Sequence, residues 1–214
     1  MPRPIKQRDR ETRERLLRSA AQLFADRGFK KVTVRDICRA ARANVAAVNY
    51  HFGDKGGLYR EVLQLATDTI RATSDAARAA GAGRSPEERL RRYIQVSLSR
   101  VTKSNSTSWI ARLINREMSD PTPAFDTLVE QGVRPRIDDL SAIVAEMLDC
   151  PVADERVLRC VASIHAQWVL FIPHPIASRL RSKLQLRSDS IDRVAEHISD
   201  FSLAGIRAVA SRSG

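Results

Sequence analysis

Ala46, Ala47, Asn49, Tyr50 and His51 crowd into one short run, Asn44-Val45-Ala46-Ala47-Val48-Asn49-Tyr50-His51-Phe52. Their side chains suit the reading of a base edge better than the breaking of a bond. A side-chain amide such as that of Asn49 pairs bidentately with adenine, and alanine methyls pack on thymine methyls. Small side chains also let a backbone approach a groove closely, while Tyr50 and His51 add hydrogen-bonding groups beside them. Thr33, Arg35, Asn44 and Lys55 flank the run and suit phosphate oxygens, the contacts that position a protein while base contacts specify sequence. Catalytic constellations are missing. His51, His165, His174 and His197 are far apart, and no HExxH, GxSxG or Walker pattern occurs. Cys38, Cys150 and Cys160 are odd in number and form no CxxC, so neither a zinc site nor a disulfide framework is expected. No metal and no cofactor are expected.

Such a run needs elements that hold it outward. Val34, Ile37, Cys38 and Ala41 recur at i, i+3, i+4 and i+7, one face of a helix. Thr33 precedes that face as an N-cap, with Asp36 three residues on completing a capping box. Arg42-Ala43-Asn44 is a turn, and Asn44 caps a second helix whose inner side is expected to be Val45, Val48 and Phe52. Two short helices joined by such a turn form a helix-turn-helix, the second helix lying in the DNA major groove. A helix over Arg8 to Arg27 supports the pair through Leu16, Leu17, Ala20, Ala21, Leu23 and Phe24, and Gly28 stops it. Met1 to Gln7, with two prolines and basic residues, is expected to be a mobile arm.

Thr33-Val34-Arg35-Asp36-Ile37, the turn, Asn49-Tyr50-His51-Phe52, Lys55 and Leu58-Tyr59 together resemble the DNA-binding domain of TetR-family repressors over roughly Arg10 to Val62. The resemblance implies an all-α homodimer: a three-helix helix-turn-helix head at residues 1–57 and a helical ligand-sensing and dimerisation body at 58–214. The Asn-Tyr-His-Phe form and the segment Arg116-Glu117-Met118 to Pro135 also resemble the CecR-type subgroup. Two departures stand out. Arg42 replaces the usual glycine of the turn, where a left-handed non-glycine residue costs about 1 kcal/mol or more. Gly56-Gly57 replaces an acidic helix former after Lys55, so a loose start is expected for the following helix.

Charge agrees with a nucleic-acid partner. Residues 1–57 hold 14 Lys+Arg and 6 Asp+Glu, a net +8 of the chain's +11, so a polyanion is expected on the head alone. No apolar run approaches the roughly 20 residues that span a bilayer, and no secretion signal opens the chain; a cytoplasmic protein without a membrane partner is expected. Further helices are read at Leu58–Ala80, from Ser85-Pro86 onward, Thr107–Met118, Phe125–Asp149 with a bend at Gly132 to Pro135, Asp154–Phe171 and Asp189–Ala210. A small-molecule pocket among the body helices is expected to draw on Trp109, Arg112, Leu113, Phe125, Met147, His165, Trp168 and Phe171. By the resemblance the last two long helices form the dimer interface, through Val157, Val161, Ile164, Val194, Ile198, Phe201, Ala204, Gly205 and Ala208. The reading is a ligand-responsive repressor of a palindromic operator on double-stranded DNA. The alternatives are a non-specific architectural DNA-binding protein or a helical enzyme.

Overall fold

The computed structural model describes residues 5–103, 108–167, 179 and 191–212. Among them every regular element is helical: α1 (Ile5–Arg27), α2 (Val34–Ala41), α3 (Val45–Phe52), α4 (Lys55–Gly81), α5 (Pro86–Lys103), α6 (Ser108–Ser119), α7 (Phe125–Leu128), a π-turn (Val129–Val133), α8 (Arg134–Leu148), α9 (Glu155–Ala166) and α10 (Ile191–Ala210). α1 begins at Ile5, so the expected mobile arm is already helical over its last three residues. The expected helix segment beyond Gln167 lies outside the described residues.

One compact unit comprises Met1–Thr67 and Trp109–Leu128. It is larger than the 1–57 head expected from the sequence, because α6 and α7 belong to it. Leu16, Ala20 and Phe24 of α1, Ile37 and Cys38 of α2, and Val48 and Phe52 of α3 are buried against one another. Phe24, Phe29 and Tyr59 form an aromatic cluster, with Tyr59 edge-on to Phe24 at 4.9 Å and 4.8 Å from Phe29. Gly28 ends α1 at φ +81°, its N–H bonded to the Phe24 carbonyl at 2.9 Å. α6 is fastened to α1 by polar bonds. Arg112 Nε donates to Asp26 Oδ1 at 2.8 Å and its Nη2 to Gln22 Oε1 at 2.8 Å, while Arg116 Nη2 donates to the Asp26 carbonyl at 2.8 Å.

The start of α4 is tight rather than loose. Asp54 Oδ1 accepts from the Gly57 N–H at 2.6 Å, and the Leu58 N–H reaches the Asp54 carbonyl at 3.1 Å, which caps the first turn. A methyl placed on Gly57 would collide with the carbonyl oxygen of Phe52. Glycine therefore stands here because α3 and α4 approach too closely for a side chain, and its helix-propensity cost of about 1 kcal/mol is accepted for that approach.

The second unit comprises Asp68–Ser108 and Val129–Gly214. Its core is built from Leu90, Ile94 and Leu98 of α5, Leu140, Val144 and Leu148 of α8, Val157, Val161 and Ile164 of α9, and Ile198, Leu203 and Ile206 of α10. The expected bend near Gly132 and Pro135 takes the form of the π-turn, with Pro135 in the first turn of α8, where a missing N–H costs no helix bond. Asp154 caps α9 by accepting from the Arg156 N–H at 2.9 Å. Hydrogen bonds from the Arg156 side chain and backbone hold its carboxyl down at about 2.

Two predictions follow from this packing. Gly57→Ala is expected to destabilise the chain by about 1–3 kcal/mol in urea unfolding, whereas a loose helix start would make the same change stabilising. Burial and the nearby Arg136 charge pull the His165 imidazole down to about 4. The fold thus favours neutral imidazole. Its contribution is fully present above pH 6.5, where the unfolded histidine is also neutral, and is lost as pH falls toward 4. About 2 kcal/mol of stability should go between pH 7 and pH 5, and His165→Leu should remove that part of the pH dependence.

Candidate nucleic-acid interface

The helix-turn-helix geometry grows from its caps. Thr33 Oγ1 accepts from the Asp36 N–H at 3.2 Å, and Asp36 Oδ2 accepts from the Thr33 N–H at 3.1 Å and hydroxyl at 2.6 Å. Those Thr33 hydrogen bonds, helped by the Arg39 charge, hold the Asp36 carboxyl below the usual carboxylate range. Thr33, expected at a phosphate, thus spends its hydroxyl proton inside the capping box. Arg42 ends α2 in the left-handed region at φ 50° and ψ 52°, its N–H shared between the Arg39 and Cys38 carbonyls. The turn takes the left-handed geometry that favours glycine, and arginine sits in it at the expected cost of about 1 kcal/mol. Asn44 then caps α3, its Oδ1 accepting from the Ala46 N–H at 3.1 Å.

α3 is two-sided. Val48 is fully buried and Phe52 nearly so, while Asn44, Ala46, Asn49 and Tyr50 are exposed and Ala47 is half-buried. Tyr50 is 76% exposed, a large solvent-facing aromatic on an eight-residue helix. Val45, expected to face inward, is 41% exposed instead; it stands at the first helical position, before the buried face begins. It joins Ala46, Asn49 and Tyr50 on the open surface, with Ala47 at its edge. Arg35, Arg39 and Arg42 are exposed on and after α2. The sequence reading missed Arg39 and Arg42 as phosphate candidates; their signal was their place on the polar side of α2 and in the turn.

Two expected contacts turn inward. The His51 side chain is only 7% exposed, with Nε2 3.4 Å from Asp9 Oδ1 of α1. Lys55 Nζ donates to the carbonyls of Phe29 at 3.0 Å and Val32 at 3.1 Å, and lies 4.3 Å from the Phe29 ring centroid. Its charge closes the α1–α2 connection from within, so two of its three ammonium donors are spent inside the fold.

The residues expected to line a pocket divide between the units. Trp109 and Leu113 are buried and Arg112 and Phe125 half-buried in the first, where Arg112 is bonded to Asp26 and Gln22. Met147 and His165 belong to the second, and Trp168 and Phe171 lie outside the described residues. Of the expected dimer residues, Val157, Val161, Ile164 and Ile198 are buried in the chain's own core. Val194 is half-buried. Phe201 is 64% exposed, and Ala204, Gly205 and Ala208 are exposed on the same side of α10.

A capped two-helix unit with a basic, amide- and aromatic-bearing outer face is the arrangement of a DNA-reading head. Residues 16–62 match the family model described as bacterial regulatory proteins, tetR family, and residues 86–206 match that of the HTH-type transcriptional dual regulator CecR, C-terminal domain. The chain belongs to the TetR family of bacterial regulators, with a CecR-like body. It is 26% identical to the HTH-type transcriptional dual regulator CecR of Shigella flexneri over 69% of this chain and 70% of that one. It is 34% identical to the HTH-type transcriptional regulator AcrR of Shigella flexneri, but over only 33% of each. Among solved structures, the ketosteroid transcriptional regulator KstR2 of Mycobacterium tuberculosis superposes with a TM-score of 0.64 at 21% identity, covering 90% of this chain and 93% of that one. The TetR-family regulator PfmR of Thermus thermophilus gives 0.63 at 20% identity over 88% and 97%. At these identities the structures establish the shared fold. The protein is a DNA-binding transcriptional regulator, and none of its described helices is long and apolar enough to cross a membrane.

The inward Lys55 yields a prediction that separates two roles. Lys55→Ala should lower unfolding stability by about 2 kcal/mol through two lost charge-assisted hydrogen bonds. The slope of log affinity against log salt should stay that of the parent chain. A slope reduced by about one with stability intact would restore the phosphate contact.

Proposed function

We propose that the chain is a homodimeric repressor that binds a palindromic operator and is released by a small molecule bound in the helical body. The observation that carries the DNA half is the two-sidedness of α3: Val48 and Phe52 anchor it while Val45, Ala46, Ala47, Asn49 and Tyr50 face outward. An eight-residue helix contacts few base pairs, so two-fold pairing is needed for an extended site. In this reading Arg35, Arg39, Arg42 and Asn44 hold phosphates, and the α3 N-terminus adds N–H groups toward them. Asn49 with the alanine methyls reads bases, and Tyr50 serves either.

Phe201, Ala204, Gly205 and Ala208 support dimerisation on α10. The space where a Gly205 side chain would lie is open, and Leu158 on α9 is 55% exposed. Small residues beside a solvent-facing phenylalanine suit close helix approach by a second copy. Effector binding would shift the population toward a head spacing that mismatches the two half-sites.

The test is parallel selection of duplexes from a random pool with the parent chain and Asn49→Ala. The parent should recover one palindrome. Asn49→Ala should relax one position per half-site, a loss of about 1–3 kcal/mol on the preferred base. An unchanged consensus would remove Asn49 from base readout. No consensus with either chain would favour an architectural protein that reads only backbone.

A further inference from the structure

The second unit carries a half-open cavity of about 700 Å³ among the end of α4, the turn after it, α5 and α8, within the range of small-molecule sites. It is distinct from the aromatic set that the sequence suggested. Its charged lining is Arg78, Arg84 and Arg89 against the single carboxylate of Asp139. Each guanidinium is oriented by a partner. Arg78 Nη2 donates to Asp75 Oδ1 at 2.8 Å, and its Nε is 3.7 Å from Asp139 Oδ2. Arg84 Nε donates to the Ala80 carbonyl at 3.2 Å and its Nη1 lies 3.6 Å from Glu88 Oε1, while Arg89 Nη1 donates to Glu146 Oε2 at 2.5 Å. A guanidinium carries five N–H donors, so one or two fixed bonds steady the fork without using it up. The stem of Arg89 lies on the end of α4 because Gly81 has no side chain there; a Cβ on Gly81 would be 3.1 Å from Arg89 Cγ.

A second observation points to a ligand. Ser74 lines the cavity at 5% exposure, and its hydroxyl has no hydrogen-bond partner among the described residues. On the same helix Thr67 and Thr73 turn their hydroxyls to the carbonyls one turn back, at 3.0 and 2.9 Å. Ser74 declines that bond, and an unmet buried hydroxyl is a standing cost to the fold that a ligand's polar atom would relieve. The remaining wall is apolar, with Ala77 and Ile143, and with Tyr93, whose hydroxyl is engaged with Arg136. The carbonyl end of α4 disfavours an anion, and Arg84 covers one of those carbonyls.

We infer that this cavity binds a small organic anion, with its carboxylate on the Arg84 and Arg89 forks, a polar atom on Ser74 and an apolar body along Ala77 and Ile143. The guanidinium N–H donors that their own carboxylate partners leave over suit an anion's oxygens, and the apolar wall distinguishes an organic acid from inorganic phosphate. The inference deepens the reading that the body answers to a small molecule and rests on it.

Calorimetric titration of the full-length, DNA-free chain with naphthoate and its neutral amide, naphthamide, tests the inference. Naphthoate should bind saturably, one per chain, and naphthamide about tenfold or more weaker. Arg84→Gln should cost about tenfold in naphthoate affinity. Ser74→Ala should weaken binding without lowering the melting temperature of the ligand-free chain, because it removes an unpaired group. Equal binding of the two probes, parent-like binding by both variants, or no saturable heat would overturn the inference. Operator affinity, measured separately with and without naphthoate, distinguishes the failures. Intact operator binding beside a negative titration rejects this site alone, whereas naphthoate binding that leaves operator affinity unchanged rejects the effector reading instead.

Discussion

Glu117, 1% exposed, is the charge-bearing group around which the DNA-reading unit closes. Its Oε1 accepts from the Tyr59 hydroxyl, and its Oε2 from the Thr122 N–H at 2.9 Å and the Thr122 hydroxyl at 2.8 Å. An unpaired buried carboxylate would cost several kcal/mol; three donors from α4 and the turn after α6 make it tolerable. Burial first, then the Glu117 hydrogen bond and charge, push the Tyr59 hydroxyl far above its usual range. Tyr59 is thereby kept as a donor while its ring packs on Phe24 and Phe29. Removing either partner would strand the other, so α4, α6 and the aromatic cluster form one cooperative piece.

That constraint explains the division of labour in the helix-turn-helix. α1 is held from behind by the Arg112 and Arg116 bonds to Gln22 and Asp26, and in front by Arg15 Nε to the Ala41 carbonyl at 3.2 Å. Lys55 and His51, both capable of touching DNA, are drawn into this framework. What remains outward on α3 is small, amide-bearing or aromatic, with arginines on and after α2 supplying charge. Positioning uses the strong charged bonds, and recognition is left to a face with little internal structure of its own.

Much of the head was legible because its signals are local. The capping box at Thr33 and Asp36, the left-handed Arg42, the Asn44 cap and the Gly28 stop are each set within a few residues, and all appear as expected. Periodicity erred at Val45, since the first turn of a short helix is not yet covered by its neighbours. It also misjudged Gly56-Gly57, where composition suggested looseness but the steric demand comes from Phe52, whose approach no propensity records. The joining of 109–128 to the head was beyond local reading: Tyr59 meets Glu117 across 58 residues and Asp26 meets Arg112 across 86. In the body, apolar spacing located core helices but could not separate buried Val157, Val161 and Ile198 from the exposed side bearing Phe201 and Gly205. The arginine-lined cavity was illegible, because its members gain meaning only when α4, α5 and α8 are brought together.

The most direct test of the central claim, that paired copies of α3 read the major groove, is a dimethyl sulfate footprint of the chain on its selected duplex. Guanine N7 lies in the major groove, so protection there reports α3 rather than phosphate contact alone. The account predicts two symmetry-related patches of protection, centred about one helical turn or a multiple of it apart. Protection that is uniform along the duplex, or confined to the backbone with N7 left reactive, would contradict it.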